Sequence, residues 1–122
     1  MIEIGIDSEV LKNIRDGRKT VEGRLARDKF LDIKSGDVIS VREDFYVDGA
    51  ISSCKEDSLR IKVVAVEMFD DFRSMLQAIG FKKAVPYAKT LDEAYIEYLR
   101  FYSEASQKEH GVLGISFQVV SS

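Results

Sequence analysis

Three residues within six positions carry the most chemistry in this chain: Lys19, Glu22 and Arg24. If Thr20 to Leu25 is extended, side chains alternate, so Glu22 and Arg24 project from one face while Val21, Gly23 and Leu25 take the other. An arginine beside a carboxylate offers a planar fork to a phosphate or a base edge, and the carboxylate accepts from an exocyclic amine. Lys19 stands just before the strand and can swing toward the pair, to hold a phosphate or, with a depressed pKa, to act as a base. The plainer alternatives are a solvated turn lysine and an ion pair that only orders the surface.

These residues sit in a cationic island. Arg15 to Lys29 contains Arg15, Arg18, Lys19, Arg24, Arg27 and Lys29 against Asp16, Glu22 and Asp28, a net +3, while the whole chain is −3. Such an island faces something anionic. Arg15, Arg18, Arg27 and Lys29 read as supporting electrostatics rather than specific contacts.

Other candidates are weaker. Tyr95, Tyr98 and Phe101 recur at helical spacing and read as core, whereas Phe45 and Tyr46, beside a hairpin, are candidate exposed stackers. His110, the sole histidine, suits the last turn of a helix and has no relay motif around it. Cys54 is the sole cysteine, which excludes an internal disulfide and a zinc site of usual composition. No metal or other cofactor is expected, and no glycine-rich phosphate loop is present.

The elements that must position the three residues follow from pattern. Ile2, Ile4 and Ile6 alternate as a short strand, and Asp7 or Ser8 caps a helix carrying Val10, Leu11 and Ile14. Gly17 suits the left-handed position that ends this helix and turns the chain into the next strand. Ser35-Gly36-Asp37 is a turn before a strand at Val38–Arg42, Asp48-Gly49 marks a hairpin, and the polar run Ser52–Ser58 reads as a loop around a short or irregular strand. Leu59–Met68 is rich in β-branched residues and is the clearest strand. Asp70 or Asp71 caps a helix with Phe72, Met75, Leu76 and Ile79, ended by Gly80. One more turn is expected over Lys82–Val85 before Pro86. Thr90 and Glu93 form a capping box opening one long helix, Leu91 to Glu109, and Val112–Val120 is a last strand. The fold class is α+β, one domain over residues 1–122, with a mostly antiparallel sheet curling into a small barrel.

At 122 residues, 45% apolar and 32% charged, the chain has the composition of a globular protein of one domain. It shows no apolar run long enough to span a membrane and no signal peptide, so a cytoplasmic location is expected.

Gly17-x-Lys19-x-x-Glu22-x-Arg24 resembles the signature of the ASCH domain (activating signal cointegrator homology), a relative of the PUA RNA-binding fold. The segments Ile33–Ile39, Phe72–Leu76, Phe101–Ser103 and Gly111–Ile115 resemble, in order, a strand-connecting turn, a helix, the final helix and the closing strand of small stand-alone members. The resemblance implies a PUA-like β-barrel with flanking helices and a cleft beside the motif. RNA, a nucleotide or a nucleoside is the implied partner, bound by Lys19, Glu22, Arg24 and Tyr102, the last because the family's final helix presents a tyrosine near the cleft. Some relatives are enzymes, hydrolysing N4-acetylcytidine or, in another branch, RNA. The amidohydrolase branch reads Lys-Thr-x-Thr-x-Arg, and here Glu22 stands where the second threonine would be. The implied reading is therefore a binding module using a basic cleft built on that motif, and the alternative a metal-independent hydrolase with Lys19 as base and Glu22 aiding proton transfer.

Overall fold

The computed structural model describes residues 1–121, Ser121 by its backbone alone. Strand β1 (Glu3–Asp7) runs directly into helix α1 (Ser8–Arg15). Asp7 caps that helix, its carboxylate accepting from the Glu9 amide at 2.9 Å, and Leu11 and Ile14 turn inward. Strand β2 (Val21–Leu25) follows, then a 3-10 turn (Asp28–Asp32), and the long hairpin of β3 (Val38–Val47) and β4 (Ala50–Phe69). Helices α2 (Phe72–Ile79), α3 (Phe81–Ala84), α4 (Leu91–Leu99) and α5 (Glu104–His110) precede the last strand, β5 (Val112–Ser121).

The α+β class expected from the sequence is what the chain adopts. The five strands form one sheet in the order β1-β3-β4-β5-β2, with β1 parallel to β3 and the other pairings antiparallel. The order also shows that the expected barrel is not closed: β1 and β2 are the two edges and form no ladder with each other among the described residues. A side chain of β2 bridges that seam. Arg24 on β2 donates from Nη2 to the Gly5 carbonyl on β1 at 2.9 Å.

Two apolar clusters flank the sheet. One gathers Leu11 and Ile14 with Ile4, Ile39, Val41, Leu59, Ile61 and Ile115. The other packs Phe72, Met75 and Leu76 of α2 against Val21, Leu25, Ala94 and Tyr98. Burying each of those large side chains contributes about 1.5–3 kcal/mol. Close approach of α2 and α4 depends on a facing glycine pair, Gly23 on β2 opposite Gly114 on β5. A Cβ on Gly23 would lie 2.8 Å from the Tyr98 hydroxyl, and one on Gly114 2.7 Å from Ile79 Cδ1.

Two further expectations are corrected. Ser52–Ser58 is strand, part of a β4 that pairs with Glu43–Val47 across two register shifts. This arm is exposed on most positions, so neither face needed the apolar alternation by which a strand is recognised. The long helix is two. Thr90 caps α4 as its motif suggests, accepting from the Glu93 amide at 3.1 Å, but the helix stops at Leu99 and Ser103 caps α5 afresh. The break re-aims α5 so that buried Gln107 accepts the Phe72 amide at 2.9 Å, satisfying the first turn of α2.

Candidate functional site

The end of α1 delivers Lys19. Gly17 takes φ +83°, and the amides of Arg18 and Lys19 both return to the Asn13 carbonyl at 3.0 Å, reversing the chain within three residues. Thr20 then bonds to the Lys83 carbonyl at 2.9 Å, which pins the start of β2 beside α3. Lys19 is thereby buried, 4% exposed. Its Nζ donates to the Val21 carbonyl at 2.8 Å and the Ala84 carbonyl at 2.6 Å, and lies 3.2 Å from Glu22 Oε1. Three acceptors match the three protons of an ammonium. Burial holds the Lys19 pKa below its ordinary value, and the Glu22 carboxylate offsets that only in part.

Glu22 joins the two cations. Its Oε2 accepts from Arg24 Nη2 at 2.9 Å and Nε at 3.3 Å. Burial acts to raise the Glu22 carboxyl, but Lys19 and Arg24 together overcome it and hold it at about 2. Arg24 is raised in turn: burial opposes its charge and Glu22 outweighs that cost. Its guanidinium also lies 5.2 Å from the centre of the Phe30 ring, within cation–π range. Glu22 and Arg24 thus share a face as strand alternation requires, and Lys19 is fixed against them rather than swinging.

The triad forms the floor of a cavity of about 530 Å³ in the seam between β1 and β2. Gly5, Ile6 and Asp7 line one side, with Tyr98 and Tyr102 on the α4 side. Phe72 stacks on Tyr98, ring centres 4.3 Å apart, and meets Tyr102 at 5.0 Å, so both tyrosines are held from behind. Burial raises the Tyr98 hydroxyl well above its ordinary value, with Glu22 adding to the effect. Burial likewise raises Tyr102, against the opposing pull of Arg24. Both remain protonated donors at neutral pH.

The rest of the cationic island is spent elsewhere. Arg15 donates to the Ser58 hydroxyl at 2.8 Å and lies 3.8 Å from Glu43, Arg18 pairs with Asp16 at 2.6 Å, Arg27 lies 3.7 Å from Asp28, and Lys29 bonds to the Glu3 carbonyl. None of the four lines the cavity. Its charged lining is balanced instead: Lys19, Arg24 and Arg100 against Asp7, Glu22 and Glu97. The basic cleft expected from the sequence is corrected to a cleft of no net charge.

Asp7, Tyr87, Glu97, Arg100 and Phe101 were outside the expected site. Phe101, expected in the core, is 68% exposed at the cavity mouth because α4 ends before it. Tyr98, also expected in the core, is buried yet forms a wall. Tyr46, at the hairpin tip, reaches the cavity, whereas Phe45 does not. His110 lies beside Glu109 and Cys54 is exposed, both outside the lining.

A family model described as the ASCH domain matches residues 4–121, nearly the whole chain and including the motif. The chain belongs to the ASCH domain family. Among solved structures, this ASCH chain is similar to the hypothetical protein PH0355 of Pyrococcus, at 30% identity and TM-score 0.82, covering 97% of each chain. It is similar also to protein PF0455 from Pyrococcus furiosus, at 33% identity and TM-score 0.74, covering 98% of this chain and 96% of that one. Protein EF3133 from Enterococcus faecalis V583 shares the fold at 19% identity and TM-score 0.65, covering 99% of this chain and 77% of that one. No curated protein matches the chain. No helix among the described residues is long and apolar enough to cross a membrane.

Proposed function

We propose that this ASCH protein is an RNA-binding module whose cavity holds one unpaired nucleotide and reads its base edge with Glu22 and Arg24. The carrying observation is the carboxylate–guanidinium pair on the floor of a cavity sized for a small ligand, walled by tyrosines held in place from behind. The family's relationship to the PUA RNA-binding fold supports RNA as the partner. A base edge carries donors and acceptors side by side, which suits Arg24 Nη1, without a partner among the described residues, beside the Glu22 carboxylate. Tyr98 and Tyr102 supply hydroxyl donors and ring faces beside them.

Hydrolysis with Lys19 as base has less support. Its nitrogen is surrounded by three acceptors and enclosed by protein, so it serves the floor as a charge and a clamp.

Binding of a labelled single-stranded RNA, followed by fluorescence anisotropy, tests the proposal. Arg24→Lys keeps a cation beside Glu22 but loses the planar fork. Affinity is expected to fall about tenfold, the equivalent of one good base contact. A folded Arg24→Lys protein that binds RNA as tightly as the parent would overturn the reading.

A further inference from the structure

The cavity's mouth carries a charge arrangement distinct from that of its floor. Each cation in the lining is already bonded to a carboxylate: Lys19 and Arg24 to Glu22, and Arg100 to Glu97 at 3.0 Å. Glu97 also accepts from the Tyr87 hydroxyl at 3.4 Å. Asp7 lines the mouth with no cation partner among the described residues, its carboxylate engaged only by the Glu9 amide. Burial pushes the Tyr87 hydroxyl up to about 12, with Glu97 adding to it, Arg100 opposing it and Asp7 adding a smaller share.

Asp7 and Glu97 line the same cavity as Arg24, so a ligand that reaches Arg24 shares the cavity with two carboxylates. Arg100 pairs with Glu97 and offsets its charge, but Asp7 has no cation partner among the described residues, so the three together leave the mouth net negative. The exposed aromatic rings of Tyr46, Tyr87 and Phe101 complete the mouth and accept a flat, uncharged group without penalty.

We propose that Asp7 and Glu97 set the charge of the ligand: the cavity takes a nucleoside, or a nucleotide within a chain carrying a single phosphodiester charge, and rejects a 5′-di- or triphosphate. This rests on the reading of the cavity as a base-recognition site and adds the residues that decide which nucleotide-containing molecules enter.

Competition against labelled single-stranded RNA, in buffer with EDTA so that no divalent cation masks the phosphates, provides the test. The four nucleosides and their 5′-triphosphates are compared on the parent protein, on Glu97→Gln and on Asp7→Asn/Glu97→Gln. Asparagine retains the helix cap and glutamine retains an acceptor for Tyr87. The expected result is that no triphosphate competes better than its nucleoside on the parent, and that the double variant shifts the triphosphate-to-nucleoside affinity ratio upward about tenfold. Glu97→Gln alone should move it part of the way. A parent protein that prefers triphosphates, or a folded double variant with an unchanged ratio, overturns the assignment and leaves base recognition standing. Failure of every nucleoside and triphosphate to compete with an RNA that does bind also overturns it. Absence of RNA binding removes the base-recognition reading and this inference with it.

Discussion

Replacing Glu22 by glutamine separates charge from shape at the centre of the site. The side chain keeps its length and one acceptor oxygen, but Lys19 and Arg24 lose their shared anion. The Glu22 carboxyl titrates at about 2 in the folded protein against 4.5 ordinarily. A folded-state value below the unfolded one means stability that is present above the unfolded pKa and lost as pH falls through the folded pKa. For this buried group the difference corresponds to about 3 kcal/mol. Urea denaturation of the parent and Glu22→Gln between pH 7 and pH 2 measures it. The gap between them should be about 3 kcal/mol or more at neutral pH, where the two cations are also left uncompensated. It should narrow from about pH 4.5 down to about pH 2, where the parent's own carboxyl becomes protonated. Other carboxylates held low, such as Asp57 beside Arg60 and Ser40, titrate in both proteins and cancel in the difference. A gap that stays constant across the range, or that is absent at neutral pH, would refute the claim that Glu22 is held ionised by its two neighbours.

Two further substitutions test how the site is supported. Gly23→Ala places a methyl 2.8 Å from the Tyr98 hydroxyl and 3.0 Å from Met75 Cε, so thermal denaturation should show a loss of about 1–3 kcal/mol. Tyrosine absorbance or fluorescence should change with it as Tyr98 is displaced, and an unchanged spectrum would argue against the contact. Gln107→Leu keeps the buried volume but strips the Phe72 amide of its acceptor, which should cost about 1–3 kcal/mol in urea denaturation. No measurable loss would mean that this amide finds another partner.

The parts of the site that were legible in the sequence are those set by local geometry. Strand alternation alone put Glu22 and Arg24 side by side, and a glycine after an amphipathic helix fixed the turn before them. Caps were equally local, as Thr90 and Asp7 show. The fate of Lys19 was not legible, because one of its acceptors is the Ala84 carbonyl, 65 residues further along the chain. The same holds for Arg15, which looked like free charge until a fold placed Ser58 and Glu43 against it. Polar strands hide for a different reason. Ser52–Ser58 forms half of an exposed ladder, and exposure removes the periodic signal that marks buried strands. Phe101 misled through an assumed continuity of helix, which Ser103 interrupts by capping a new one.

The bond from Arg24 to the Gly5 carbonyl makes one residue serve both edges of the open sheet. That has a consequence for how the protein can diversify. Altering the floor to suit a new ligand also loosens the seam, so variants there are filtered by folding before ligand preference is exposed to selection. Tyr46, Tyr87 and Phe101 stand under no such constraint, since each is largely or partly exposed at the mouth and none clamps the strands together. New specificities in chains with this architecture should therefore arise by exchange at the rim around an unchanging floor. A library varied only at those three positions is the economical place to look for them.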